Sequence, residues 1–187
     1  MLESPTKTKE KIKELFEQVL GASLHYNIEI APVLGMFSDI SGVALKTLNA
    51  PKSEWGDIIL ESSKEYMNDT NKLVNGVILI NEARMMKLSE NAEDHAKILH
   101  YIKVVGSIDG CPYATPLDVV LCACTFRDNE KILFVTKVKH NQETGERSFS
   151  EVVDMCENDG LSSLGGALSD IAKQAFGVPP AYQNLSC

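Results

Sequence analysis

The stretch Leu117-Asp118-Val119-Val120-Leu121-Cys122-Ala123-Cys124-Thr125-Phe126, then Arg127-Asp128-Asn129-Glu130, then Lys131-Ile132-Leu133-Phe134-Val135-Thr136-Lys137-Val138-Lys139-His140, decides the fold class. Both arms are rich in β-branched and apolar residues, and turn formers separate them, which is the signature of a hairpin. A short turn at Asp128-Asn129 sets Phe126 opposite Lys131, Ala123 opposite Phe134 and Val119 opposite Val138. A longer turn through residues 141–146 returns Arg147–Met155, placing Phe149 opposite Val138 and Val153 opposite Phe134.

In that register one face reads Val119, Leu121, Ala123, Ile132, Phe134, Val138, Phe149, Val153 and Met155, and it is almost wholly apolar. The other face carries Cys122, Cys124, Leu133 and Val135 near the first turn, and Lys137, Lys139, Ser148 and Asp154 near the second. Side chains alternate strictly across a pleated sheet, so a slip of one residue would exchange the two sets. The expectation is a three-stranded antiparallel meander over 117–155. A sheet this small needs helices laid upon it.

Helical periodicity supplies them. Thr8–Leu20 aligns Ile12, Leu15, Phe16, Val19 and Leu20 on one stripe, with Gly21 as a stop. Ile30–Leu48 reads as a second helix, with Pro32 in its first turn and Leu34, Phe37, Ile40, Ala44 and Leu48 at helical spacing. Ser53 caps a third over Glu54–Asn68, burying Trp55, Ile58, Ile59, Ser62 and Tyr66. Lys72–Leu88 reads as a fourth, although Gly76–Ile80 also suits a buried strand. A fifth begins at Ser89 or Asn91, with Ala92, His95, Ala96, Leu99 and Ile102 as its buried stripe up to Gly106.

The linker Ile108–Pro116 carries two prolines and a glycine and delivers the chain to the strands. Leu161–Phe176 forms a last helix before Gly177-Val178-Pro179-Pro180, and residues 181–187 are a tail. Helices precede strands, which argues for a segregated α+β fold and not alternating βαβ units. The chain therefore reads as a single α+β domain over 1–187, with helical hairpins (6–106) packed on the meander (117–155) and a C-terminal helix (161–176).

Composition narrows the function classes. The chain has 187 residues, of which 44% are hydrophobic, and a formal net charge of −8. Its isoelectric point is near 5.0. That balance disfavours nucleic acid, whose phosphates require a basic field. The most lipid-like stretch, Ile28–Leu48, is broken by Glu29, Pro32, Asp39 and Lys46, so no spanning helix is expected. The N-terminus runs into charged residues and does not read as a secretory signal. Five cysteines, an odd number in a chain too large to need staples, point to reduced thiols and a cytoplasmic setting.

Several residues are candidates for chemistry, each beside a plainer reading. Cys122 and Cys124 place two thiols on one side of a strand as candidate metal ligands, but no second pair or histidine follows at ligand spacing; core cysteines are the simpler account. Cys111 in the Gly-Cys-Pro linker is a candidate nucleophile with His95 or His100 as its base, yet the sequence joins no particular histidine to it. Asp154–Gly160 lacks oxygen ligands where a calcium loop needs them, and no glycine-rich phosphate loop is present. No cofactor is implied.

The leading expectation is a non-enzymatic interaction protein that binds another protein, or a second copy, through a helical face or a sheet edge. The alternative is a membrane-active protein whose amphipathic hairpin Thr8–Leu20 and Ile30–Leu48 lies in a bilayer interface. A cysteine-dependent hydrolase ranks third.

Overall fold

The computed structural model describes residues 5–87, 92–105, 110–128, 130–155 and 175–176. The fold is α+β. Its elements are α1 (Pro5–Tyr26), β1 (Val33–Phe37), β2 (Ala44–Thr47), α2 (Trp55–Thr70), β3 (Gly76–Lys87), α3 (Ala92–Val105), β4 (Thr115–Phe126), β5 (Lys131–His140), β6 (Arg147–Phe149) and β7 (Val153–Asp154). The strands form one seven-stranded sheet in the order β2-β1-β3-β4-β5-β6, with β7 also paired to β5. Each pairing is antiparallel.

Two expected helices are strands instead. Ile30–Leu48 is not helical: it forms the β1–β2 hairpin, and Lys72–Leu88 is dominated by β3. The reason is burial on both faces. Leu34 and Met36 pack under α2, while Ile78 and Ile80 pack under α1 with Val77 and Leu79 on the reverse. A strand covered on both sides shows a continuous apolar run, which periodicity does not separate from a buried helix. Local chemistry favours the strand: Gly35 faces Ile78, and a side chain there would press on Leu45, Val43 and Ile78. At Gly76 a side chain would collide with the Phe37 ring, which lies over it and meets Phe126 edge-on, with centroids 5.8 Å apart.

The meander expected over 117–155 is therefore one part of a larger sheet, and its register differs by one residue. Cys122 pairs with Phe134 and Val119 with Lys137, where Ala123 and Val138 were expected to be the partners. The turn sets this, because the Phe126 N–H donates to the Glu130 carbonyl at 2.9 Å and so closes a loop one residue shorter. Val120, Cys122 and Cys124 now share a face with Ile132 and Phe134 beneath α1, while Val119 and Val135 turn to the opposite face. Val138 pairs with Phe149 as expected, but Val153 pairs with Val135 and not Phe134, since an extra residue bulges between β6 and β7. Val153 is consequently 48% exposed.

Two cores result, one on each face. Ile12, Phe16 and Leu20 of α1 cover Ile78, Ile80, Val120, Cys122 and Phe134. Trp55, Ile59, Tyr66 and Met67 of α2 cover Leu34, Met36, Val77 and Leu79. Fully burying each such side chain stabilises by about 1.5–3 kcal/mol, so both helices are clamped to the sheet. The α1 stripe expected from periodicity is the buried one, although the helix continues through Gly21 to Tyr26 and is followed by Asn27, whose φ is 49°. In α2 the N-cap is Glu54 and not Ser53, and no side chain caps it.

Among the described side chains of α3 the buried one is Ile98, whereas Ala96 and Leu99, expected in the buried stripe, are exposed. The C-terminal helix expected over 161–176 and the tail at 181–187 lie outside the described residues, apart from Ala175 and Phe176. No helix among the described residues is long and apolar enough to cross a membrane. The helical hairpin on which the membrane reading rests is not formed, because its second arm is β1–β2 and the apolar stripe of its first arm is spent on the core.

Candidate functional site at the open edge of the sheet

Among the described residues, the cysteine candidates are not gathered into one cluster with a histidine. Cys122 and Cys124 are buried beneath α1. No cluster of His, Cys, Asp or Glu able to hold a metal occurs among the described residues. Burial pushes the Cys122 thiol far above its ordinary value, which favours the protonated thiol over the thiolate. Cys111 is buried at the entry to β4, while His100 sits exposed on α3, and no hydrogen bond joins them among the described residues. The side chain of His95 lies outside the described residues.

The two edges of the sheet are treated differently. At the β6 edge the outward Arg147 N–H donates to Asn27 Oδ1 at 3.2 Å, so the α1–β1 connection occupies that position. The Arg147 guanidinium pairs with Glu82 of β3, and Glu82 Oε1 also accepts the Ile30 N–H at 2.6 Å. Two strands intervene between β6 and β3 in the sheet, so this pairing requires the sheet to curl over the α1 face. The curl tucks β6 away.

β2 is left open. All four of its residues are exposed, and among the described residues its outer side pairs with no strand. The Leu48 N–H donates to the Pro32 carbonyl at 2.7 Å. Hydrogen-bonded pairs alternate along an antiparallel ladder, so Lys46 and Ala44 bond inward to β1, while Leu45 and Thr47 aim their N–H and C=O groups outward. These are unpaired strand groups of the kind that recruit another strand.

Beside this edge runs a groove of about 280 Å³ between β2 and α2. Leu34 and Met36 form its floor, Ala44 and Lys46 one wall, and Ser62, Glu65, Tyr66 and Asp69 the other. The helix runs back alongside β2, as three contacts establish. Trp55 Nε1 donates to the Ala50 carbonyl at 2.9 Å. Lys46 Nζ reaches Ser62 Oγ at 3.2 Å and Glu65 at 3.4 Å. Tyr66 Oη accepts the Ser38 N–H at 2.8 Å, at the end of the hairpin where β2 begins.

The helix wall is acidic in a regular way. Asp57, Glu61, Glu65 and Asp69 recur every fourth residue, and all four are exposed. Like charges at that spacing each destabilise a helix by about 0.2–0.5 kcal/mol, so the stripe is not there to support α2. At the tip of the β1–β2 turn, Asp39 Oδ1 accepts the Ser41 N–H at 2.9 Å. That bond holds the Asp39 carboxyl below its ordinary value.

The periodicity argument missed β2, which it assigned to a helix. The fourfold acidic spacing was legible in the sequence, but it acquires meaning only once α2 is seen to flank an open strand. Comparison with protein-family models, curated proteins and solved structures finds no match. The geometry of the edge and its groove therefore carries the functional argument.

Proposed function

We propose that the chain is a non-enzymatic interaction module that takes an extended segment of a partner protein as an added strand on the outer side of β2. The observation carrying this reading is the pairing of an unprotected strand edge with a parallel groove walled by α2. In strand addition, main-chain hydrogen bonds supply affinity and a neighbouring groove reads alternate side chains. Leu45 and Thr47 offer the first element, and the groove from Lys46 to Asp69 offers the second. The contrast with β6, where Asn27 occupies the outward N–H of Arg147, supports β2 as the working edge.

Thr47→Pro tests this. Thr47 is exposed and its N–H faces outward, so proline removes one edge donor without breaking the β1–β2 ladder. Peptides selected from a displayed library of random octamers on the native chain are expected to lose binding to Thr47→Pro, while circular dichroism and Tm stay near native. Selected peptides that bind the variant equally well, or a library yielding no binders, would overturn the reading.

A further inference from the structure

We infer that the strand accepted by β2 is basic, carrying a Lys or Arg at the residue that pairs opposite Ala44 and a small side chain at the residue opposite Lys46. This rests on the strand-addition reading and adds the chemistry of the partner. Residues paired across an antiparallel sheet share a face, so partner residues opposite Ala44 and Lys46 point into the groove.

The two positions meet different charges. Lys46 is already held by Glu65 and Ser62, so a cation opposite it meets a like charge, whereas a small residue leaves that contact intact. At the Ala44 end the nearest part of α2 is the turn after Tyr66, where Asp69 lines the groove and has no ion pair or hydrogen bond among the described residues. Asp69 is the carboxylate left for the partner. Glu61 and Asp57 continue the negative stripe along the exposed side of α2, and the chain as a whole carries −8. The field at this edge therefore draws in cationic segments and repels a second copy of the same acidic surface.

The experiment uses the full chain and two acetylated, amidated heptapeptides of alternating Thr and Val that differ only in a central Lys or Glu, titrated at low and at physiological salt. The Lys peptide is expected to bind about tenfold more tightly, with the gap narrowing as salt rises. In Asp69→Lys the preference is expected to reverse. Equal binding of both peptides that Thr47→Pro still abolishes would leave the edge standing and overturn the charge assignment. Equal binding that survives Thr47→Pro would overturn both. A dimer seen by sedimentation and dissociated by Thr47→Pro would give the edge to a second copy and overturn the basic partner.

Discussion

Arg147 of β6 and Glu82 of β3 meet across the curl of the sheet, and the same Glu82 carboxylate holds the backbone of Ile30 ahead of β1. Three segments distant in sequence converge there: β6 at the rim of the sheet, β3 near its middle and the α1–β1 connection. The guanidinium is only 5% exposed, and its Nε and Nη1 have no partner among the described residues. Removing the anion from beneath such a group exposes the full penalty of an uncompensated buried charge.

Glu82→Ala is therefore expected to destabilise by about 3 kcal/mol, read as a shift in the urea midpoint. The double variant Glu82→Leu with Arg147→Met, which replaces the pair by apolar groups of similar size, is expected to recover most of that loss. A single and a double variant of equal stability would show that the pair does not tether β6.

Phe37 over Gly76 gives a second test. A methyl at Gly76 enters the space of the ring, so Gly76→Ala is expected to cost about 1–3 kcal/mol through overpacking, measured by chemical denaturation. Combining it with Phe37→Leu is expected to recover part of the loss. Simple helix or strand propensity would instead make Gly76→Ala neutral or stabilising, so the sign discriminates.

Much of this fold was legible in the sequence, and the rest was hidden for one physical reason. The stripe Ile12, Phe16 and Leu20 announces a helix because only one side of α1 is buried. Val33–Phe37 and Gly76–Ile80 mislead because the sheet is covered on both faces and polar residues no longer mark an outer side. The same double cover loosened the register argument for β4 and β5, since Val119 and Val120 are both buried and neither choice exposes an apolar set. The candidate edge followed β2 into that error. The cysteines were read more easily: Cys122 and Cys124 share a side of β4, and that side is the core beneath α1, as the simpler reading of two core cysteines expects.

Asp39 supplies a pH test. Its carboxyl is held below the ordinary value of 3.8 chiefly by the Ser41 N–H, then by the Ser41 side chain. A lowered folded value means that the ionised form supports the turn above the unfolded value, and this support is lost as pH falls through the folded one. Amide exchange at Ser41 and Gly42 is expected to show extra opening of the turn below about pH 4, beyond the intrinsic change in exchange rate. Asp39→Asn, which keeps an acceptor but not the charge, is expected to remove that pH dependence.

The central claim is that the outward groups of β2 are open and receive a strand. Amide hydrogen exchange read residue by residue tests it most directly, on the free chain and with a library-selected peptide bound. Leu45 and Thr47 are expected to exchange rapidly in the free chain while Ala44 and Lys46 are protected, and all four are expected to be protected in the complex. Protection of Leu45 and Thr47 already present in the free chain, or exchange at these two amides unchanged by the peptide, would contradict the account.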